Sequence, residues 1–160
     1  MNVFFLDYST EKCAEYHNDK HCVKMILEYA QLLSTAHRVL DGDDSISVVY
    51  KATHKNHPSA IWARDNSSNY QWLYRLFVNL SHEYTYRYDK VHLSYKKLKD
   101  ILRYNPANIT QGEFTEPTPA MPNHCKIEGD SLSSYRKYYI EEKSHIAVWK
   151  NRPIPSWYKA

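Results

Sequence analysis

Residues 16–40 read YHNDKHCVKMILEYAQLLSTAHRVL, and this stretch predicts a long helix that carries one polar stripe. At about 100° per residue, six polar side chains fall within an arc of roughly 80°. They are His17, His21, Lys24, Glu28, Gln31 and Thr35. Apolar side chains such as Val23, Leu27 and Leu33 occupy the remaining surface. A helix of this kind is expected to be buried on most sides, so that its polar stripe faces either a cleft or an internal polar network.

The rest of the chain predicts a mainly α-helical fold in a single compact domain, residues 1–160. A chain of 160 residues with only three glycines suits one core built from helices better than a β-structure with many tight turns. Capping residues and apolar periodicity place the helices. The first three expected helices run from Ser9 or Thr10 to Tyr16, from Asp19 to about Leu40, and from Pro58 through Trp62. The other three run from a cap at Asn66, Ser67 or Ser68 to about Tyr88, from Val91 to Arg103, and from Asp130 or Ser131 to about Ser144. A long proline-containing loop from Tyr104 to Gly129 and an aromatic, basic C-terminal tail from Trp149 to Ala160 complete the chain.

Composition narrows the functional classes without selecting one. A net charge of +3 is too small to indicate a nucleic-acid-binding protein by itself. Fifteen tyrosines and four tryptophans supply rings that can stack on bases or fill a core. Three widely spaced cysteines indicate neither a disulfide framework nor a zinc knuckle, which favours the cytoplasm. No stretch is apolar over the ~18 residues that a membrane span needs, so no membrane association is expected.

The polar stripe contains groups suited to acid–base or nucleophilic chemistry. Lys24 and Glu28 lie four residues apart, and His21 precedes Lys24 by about one turn. A carboxylate beside an amine or an imidazole is the minimum apparatus for general acid–base catalysis, and burial lowers the pKa of a lysine toward nucleophilic use. These three residues are therefore the candidate catalytic groups.

A metal site is the competing interpretation of the same stripe. His17 and His21 have the i, i+4 spacing that lets two imidazoles bind one ion, and Glu28, His54 or His57 could complete the set. A second ligand pair of fixed spacing is missing from the sequence, and Lys20 and Lys24 would repel a cation. We therefore expect no metal and no cofactor.

Further candidates for substrate contact lie outside the stripe. His54 and His57 are close in sequence to Lys55 and Arg64, a combination that suits phosphate contact or a capped turn. The tail alternates cations with aromatic rings, which suits either DNA contact or docking on its own domain. Its candidate residues are Arg152, Trp157, Tyr158 and Lys159. Glu83 and Arg87, four residues apart on one helix, form either an internal ion pair or a ligand contact.

Three features resemble the small, all-helical pyrimidine-dimer DNA glycosylase/AP lyase family of the T-even phages, commonly called endonuclease V. His21 and Glu28, seven residues apart on an early helix, resemble the family's histidine and catalytic glutamate. The run from Leu80 to Arg87 resembles its long middle helix. The ending from Arg152 to Lys159 is similar to its aromatic, DNA-contacting tail.

The resemblance implies an enzyme that extrudes a damaged nucleotide from DNA and attacks its C1′ with a free amine, while Glu28 stabilises the cationic intermediate. In the family the amine is the α-amine exposed when the initiator methionine is removed before a threonine. Asn2 is a poor context for that removal, so the amine here would be that of Met1, or of Lys24. The family's arginines near the glutamate are replaced by Leu27 and Gln31. Lys24, Arg64 and Arg87 are the expected substitutes as phosphate or base contacts.

The sequence therefore predicts a phage-type DNA-processing enzyme of a bacterial cytoplasm, acting on a damaged or modified base or its glycosidic bond. His17, Gln31, His54 and His57 would add contacts to the DNA. Two alternatives remain open: a non-catalytic module that binds a nucleotide or a protein, and a metal-dependent enzyme built on His17 and His21. The oligomeric state is not predicted.

Overall fold

The computed structural model describes residues 1–44 and 46–159, and within them the regular structure is entirely helical. This confirms the predicted all-α fold. Six α-helices follow one another along the chain: α1 Thr10–Tyr16, α2 Asp19–Asp41, α3 Pro58–Asp65, α4 Ser67–Tyr88, α5 Leu93–Leu102 and α6 Ser131–Glu142. Short 3-10 turns lie at Asn123–Cys125 and Ser144–Ile146. Among the described residues, none of the helices combines the length and the apolarity that a bilayer span requires.

Side-chain caps explain where the long helices begin. The side chain of Asn18 accepts a hydrogen bond from the backbone of His21, so Asn18 caps α2 and the expected cap, Asp19, is instead its first residue. Asn66 caps α4 through the backbone N–H of Asn69, and Asp130 caps α6 through that of Ser133. Each cap satisfies an N–H group that has no partner within the helix. The helix starts that the sequence predicts at these positions are therefore correct to within one residue.

The core lies between α2 and α4, and α1, α3 and α5 pack around these two helices. Its largest fully buried side chains are Tyr29, Tyr70, Tyr135, Tyr139, Phe5 and Phe77. α2 is buried less completely than its sequence suggests, because Val23 and Leu27 are about two-fifths exposed. Apolar periodicity does not show which side of such a helix meets a neighbour. The side with Val23 and Leu27 remains open to solvent.

The first six residues form an extended segment, the N-terminal arm, that runs through this core. Val3, Phe5 and Leu6 are fully buried. The backbone N–H of Phe4 donates to the hydroxyl of Tyr29 at 3.2 Å, and its carbonyl accepts from the Cys13 thiol at 3.1 Å. The arm is therefore held by side chains of α1 and α2, and it ends with Met1 at a defined position beside α2.

The loop between α5 and α6 is long, as predicted, and it is tied to the helices at several points. The Trp62 indole donates to the carbonyl of Thr115 at 2.9 Å, and Asn66 Nδ2 donates to the carbonyl of Glu113 at 3.0 Å. A Cβ atom at Gly112 would lie 2.9 Å from Cβ of Asn66. Glycine is therefore required at position 112 for the loop to approach the start of α4 so closely.

Candidate functional site

A cavity of about 290 Å³ opens between the N-terminal arm, α2 and the end of α6. Each element contributes for a structural reason: the arm ends there, α2 presents its polar stripe, and α6 packs its last turns against Phe4. The loop between α5 and α6 closes one side with Ala120. The lining residues are Met1, Asn2, Phe4, His21, Lys24, Met25, Glu28, Ala120, Tyr138 and Lys143.

Glu28 is the carboxylate at the centre of this cavity. Its Oε1 lies 3.4 Å from the α-amino nitrogen of Met1, and its Oε2 lies 3.8 Å from Nζ of Lys24. The Oε2 atom is buried and accepts no hydrogen bond. A buried carboxylate oxygen without a donor is costly unless a ligand or water completes it. Apart from its ion pair with Lys24, Oε2 of Glu28 therefore keeps an acceptor position that none of the described residues satisfies with a hydrogen bond.

The two amines beside Glu28 differ in their surroundings. The side chain of Met1 is 5% exposed, so its α-amine sits at the end of a buried segment. The side chain of Lys24 is 65% exposed and reaches Glu28 from the solvent side. The structure thus brings together all four sequence-predicted catalytic candidates, Met1, His21, Lys24 and Glu28, at one cavity.

His21 forms the inner wall of the cavity as a neutral imidazole. Its ring stacks on Phe4 with centroids 4.1 Å apart, and its Nδ1 lies 2.7 Å from the hydroxyl of Tyr139. Burial, followed by the positive charge of nearby groups such as Lys143 and Lys24, lowers the pKa of His21 to about 2. His21 is therefore suited to hydrogen bonding and to stacking, rather than to carrying a charge at neutral pH.

His17 lies outside the cavity, in the core beside the arm. Its Nδ1 donates to the carbonyl of Cys13 at 2.7 Å, so its Nε2 accepts from the Tyr29 hydroxyl at 2.7 Å. Burial lowers the pKa of His17 to about 4. Both ring nitrogens of His17 are thus bound within the protein, so neither DNA nor a metal reaches them in this arrangement. His17 instead orients the Tyr29 hydroxyl, which binds the backbone of Phe4.

Two of the buried histidines, His17 and His21, make stability depend on pH. Their folded pKa values lie below the ordinary value of 6.5, so between about pH 4 and 6.5 the unfolded chain binds protons that the folded chain does not. The free energy of unfolding should therefore fall on acidification through this range, by up to about 2.7 kcal/mol per pH unit if both contribute one proton. Urea unfolding at pH 7, 6 and 5 measures the slope. Replacement of the exposed His145 by glutamine should leave it unchanged, whereas equal stability at pH 7 and 5 would contradict the expectation.

Two predicted DNA contacts, His54 and His57, lie in the loop between α2 and α3, and His57 is within electrostatic range of the cavity. His57 caps α3 through the backbone of Ser59, and burial, followed by the charge of the Met1 α-ammonium group, lowers the pKa of His57. The charge of His54 also lowers the pKa of His57, so the two histidines lie near each other. Gln31 is half-buried on α2. Burial lowers the pKa of Arg64, whose Nη1 is buried without a hydrogen-bond partner.

Arg87 is placed in the interior and not at the cavity. Its guanidinium donates to Oε2 of Glu83 at 2.8 Å and to Oδ1 of Asp19 at 3.0 Å, as well as to the carbonyls of Glu15 and His17. Arg152 then binds both oxygens of Glu83, at 3.0 and 2.9 Å. Of the two alternatives for Glu83 and Arg87, the geometry favours the internal ion pair. The guanidinium groups of Arg87 and Arg152, both expected to contact DNA, bind groups of the protein itself in this structure.

Replacing Arg87 with methionine should destabilise the fold by about 3–5 kcal/mol, because Glu83 and two backbone carbonyls would lose a buried charged partner. Denaturant unfolding of the variant measures the loss. Arg75, exposed on the same helix, provides the matched control, and its replacement by methionine should change stability by less than about 0.5 kcal/mol. A stable Arg87→Met protein that had lost only DNA affinity would instead assign Arg87 to the substrate.

The tail is docked on the domain. Trp157 packs against Tyr16 and Tyr139, with ring centroids 5.7 and 6.0 Å away, and the guanidinium of Arg136 lies 5.2 Å from its ring centroid. Tyr158 packs against Trp149 at 5.2 Å. Both tail rings remain half-buried, and Lys159 is exposed. Of the two alternatives for this segment, the structure shows docking on the chain's own helices.

Lys143 and Tyr138 are among the cavity residues that the sequence did not identify. Lys143 follows the last residue of α6, and its Nζ lies 5.0 Å from the ring centroid of Tyr138, which itself stacks near Phe4. Both come to Glu28 through the docking of α6 on the arm, more than a hundred residues along the chain. No local pattern identifies such a contact. A lysine just beyond the end of a helix reads as an ordinary favourable interaction with the helix dipole.

The comparisons with known proteins bear on the first half of the chain. No match to the chain was found among curated proteins or among solved structures. A family model described as pyrimidine dimer DNA glycosylase matches residues 1–96, which is 96 of the 160 residues. The matched part includes the arm and helices α1 to α4. It also includes the four catalytic candidates Met1, His21, Lys24 and Glu28. This confirms the resemblance derived from the sequence. The chain belongs to the pyrimidine dimer DNA glycosylase family.

Proposed function

We propose that this protein excises a damaged pyrimidine from DNA by attack of the Met1 α-amine on C1′ of the nucleotide, with Glu28 as the assisting carboxylate. One observation carries the proposal: the α-amino nitrogen lies 3.4 Å from Glu28 Oε1 inside the cavity. Family membership supplies the substrate class, DNA that contains a pyrimidine dimer. The arrangement of arm and α2 supplies the pairing of amine and carboxylate that such chemistry needs.

The reaction would proceed through an imine. The amine nitrogen forms a bond to C1′ while the glycosidic bond breaks, and the departing base takes the bonding electron pair and a proton. The amine then loses a proton, and the bond between C1′ and O4′ breaks as O4′ takes the electron pair and a proton, which leaves a protonated imine between the protein and C1′. Glu28 stabilises this cation by its charge and accepts a proton from the amine. Removal of a C2′ proton would expel the 3′ phosphate as a lyase step, and water would then release the protein.

The α-amine suits this role better than Lys24. The hydroxyl of Tyr29 accepts a hydrogen bond from the backbone of Phe4 and so holds the arm in place. This limits the movement of an attacking group at the end of the arm. Lys24, with a mostly exposed side chain, and Lys143 line the cavity and would contact phosphates on either side of an extruded nucleotide.

The test is reductive trapping with borohydride. Purified protein is incubated with oligonucleotides that carry a pyrimidine dimer or an abasic site, and reduction makes any imine permanent. We expect a covalent adduct that peptide mass mapping assigns to the Met1 peptide, after an intact-mass measurement has shown that Met1 is present. An adduct at Lys24 would reassign the nucleophile. Saturable binding with no adduct and no product on either substrate would indicate a non-catalytic module and overturn the proposal.

A further inference from the structure

A group of metal-binding side chains lies on the far side of α6 from the tail, where the 3-10 turn Asn123–Cys125 meets the last turn of α6. One donor atom from each of His124, Cys125 and Glu142 lies within 4.8 Å of the others. His124 Nε2 is 2.6 Å from Oε1 of Glu142 and 3.7 Å from Oε2 of Glu141. The Cys125 sulfur is 3.7 Å from the same oxygen of Glu141. An imidazole, a thiol and one carboxylate therefore converge, and a second carboxylate, that of Glu141, contacts both the imidazole and the thiol.

The electrostatics of this place favour a bound cation. Glu141 and Glu142 are adjacent carboxylates in the last turn of α6, where the helix dipole presents its negative end. The last turn of α6 contains no basic residue, and Lys143, which follows it, places its Nζ over the ring of Tyr138 at the cavity. Two like charges at that end of a helix are unfavourable unless a positive group lies between them. A divalent ion held by the 3-10 turn would supply that charge.

We propose that His124, Cys125, Glu141 and Glu142 bind one zinc ion. Nitrogen, sulfur and oxygen donors together are typical of Zn²⁺, which takes four ligands at about 2.0–2.3 Å in a tetrahedron. That geometry separates neighbouring donor atoms by about 3.3–3.7 Å. The two contacts of Glu141 already have separations of 3.7 Å, and the contact of His124 with Glu142 has only to lengthen by about 1 Å.

The ion would act as a structural clasp on the loop before α6. Its ligands lie 16 to 18 residues apart in sequence, so coordination closes that segment onto the helix. The loop also supplies the carbonyl of Ala120, which accepts from Asn2 Nδ2 at 2.8 Å. Zinc binding would thus steady the segment that supports the N-terminal arm. The clasp and the cavity are separate groups of residues, and the proposal does not depend on the proposed function.

Cobalt substitution tests the site directly on the full-length protein. After treatment with a chelator, the protein is titrated with Co²⁺ in an absorption spectrometer. We expect one equivalent of Co²⁺ to give the visible bands of tetrahedral cobalt together with a thiolate-to-cobalt charge-transfer band, and Zn²⁺ to displace it. The Cys125→Ser variant should lose the charge-transfer band. His124→Gln should weaken binding at least about tenfold. His145→Gln, on the neighbouring 3-10 turn, should leave binding unchanged.

Two results would overturn the proposal. One is the absence of a tetrahedral spectrum at a tenfold excess of Co²⁺. The other is a spectrum that Cys125→Ser and His124→Gln both leave intact. His124 is 56% exposed, so its replacement reports on the metal even if the Cys125 variant folds poorly. Free zinc at a hundredfold excess over its Kd should also raise the Tm of the protein, by about 8 °C, and at the same zinc concentration this shift should fall to about half or less in His124→Gln.

Discussion

Replacing Glu28 with glutamine is expected to lower the rate of base excision by about 10²–10⁴-fold while leaving DNA affinity within a few-fold of the original. Glutamine keeps the size of the side chain but removes the negative charge beside the Met1 amine, so neither the cationic intermediate nor the proton transfer would be assisted. Single-turnover excision on a dimer-containing oligonucleotide measures the rate, and a gel-shift titration measures affinity.

The matched control for this experiment is Glu128→Gln, which makes the same chemical change at an exposed position of the loop before α6. It should retain full activity. Thermal unfolding of both variants should show that the fold is intact. Excision at the original rate by the Glu28→Gln protein would remove Glu28 from the chemistry, whatever its effect on binding.

A two-residue extension at the N-terminus is expected to abolish the covalent adduct and to slow excision at least about 10²-fold. Two residues carry the α-amine up to about 7 Å from its place beside Glu28, and a displacement of even 1 Å in an attacking group can cost that much. The buried part of the arm, from Val3 to Leu6, is unchanged by the extension. Borohydride trapping and single-turnover excision are the two measurements.

Two controls separate the position of the amine from other effects of the added chain. The same two residues added at the C-terminus should leave both measurements unchanged. Lys24→Met removes the second amine of the cavity and should still form the adduct, with weaker DNA binding. If the extended protein is trapped as efficiently as the original while Lys24→Met is not, the nucleophile is Lys24 and the proposal for Met1 fails.

The sequence was informative wherever the signal was local. The polar stripe of α2 was visible as a periodic pattern, and the structure brings His21, Lys24 and Glu28 to one cavity as that pattern predicts. Caps placed the starts of α2, α4 and α6 to within a residue. The i, i+4 spacing also indicated the ion pair of Glu83 with Arg87, which lies within a single helix.

What escaped the sequence depends on packing between distant segments. The sequence places His17 on the same stripe as His21, but α2 begins only at Asp19, whereas His17 has an extended backbone and caps the end of α1, and Tyr29 and Cys13 bind its ring. Lys143 reaches the cavity because α6 packs on Phe4. Periodicity predicts which residues share a face of a helix. It does not predict which part of that face another segment will cover.

The ion-pair network around Glu83 has a consequence for how the chain folds during its synthesis. Its members come from residues 15–19, 83–87 and 152, so the group cannot be completed until Arg152 has left the ribosome. Before then α1, α2 and α4 can pack together through Arg87, but one carboxylate oxygen of Glu83 lacks its partner. Contacts between such distant residues are slow to form, because a long loop must close before they stabilise anything. The tail is therefore the last segment to fold, and both oxygens of the buried Glu83 carboxylate are paired only after Arg152 has docked.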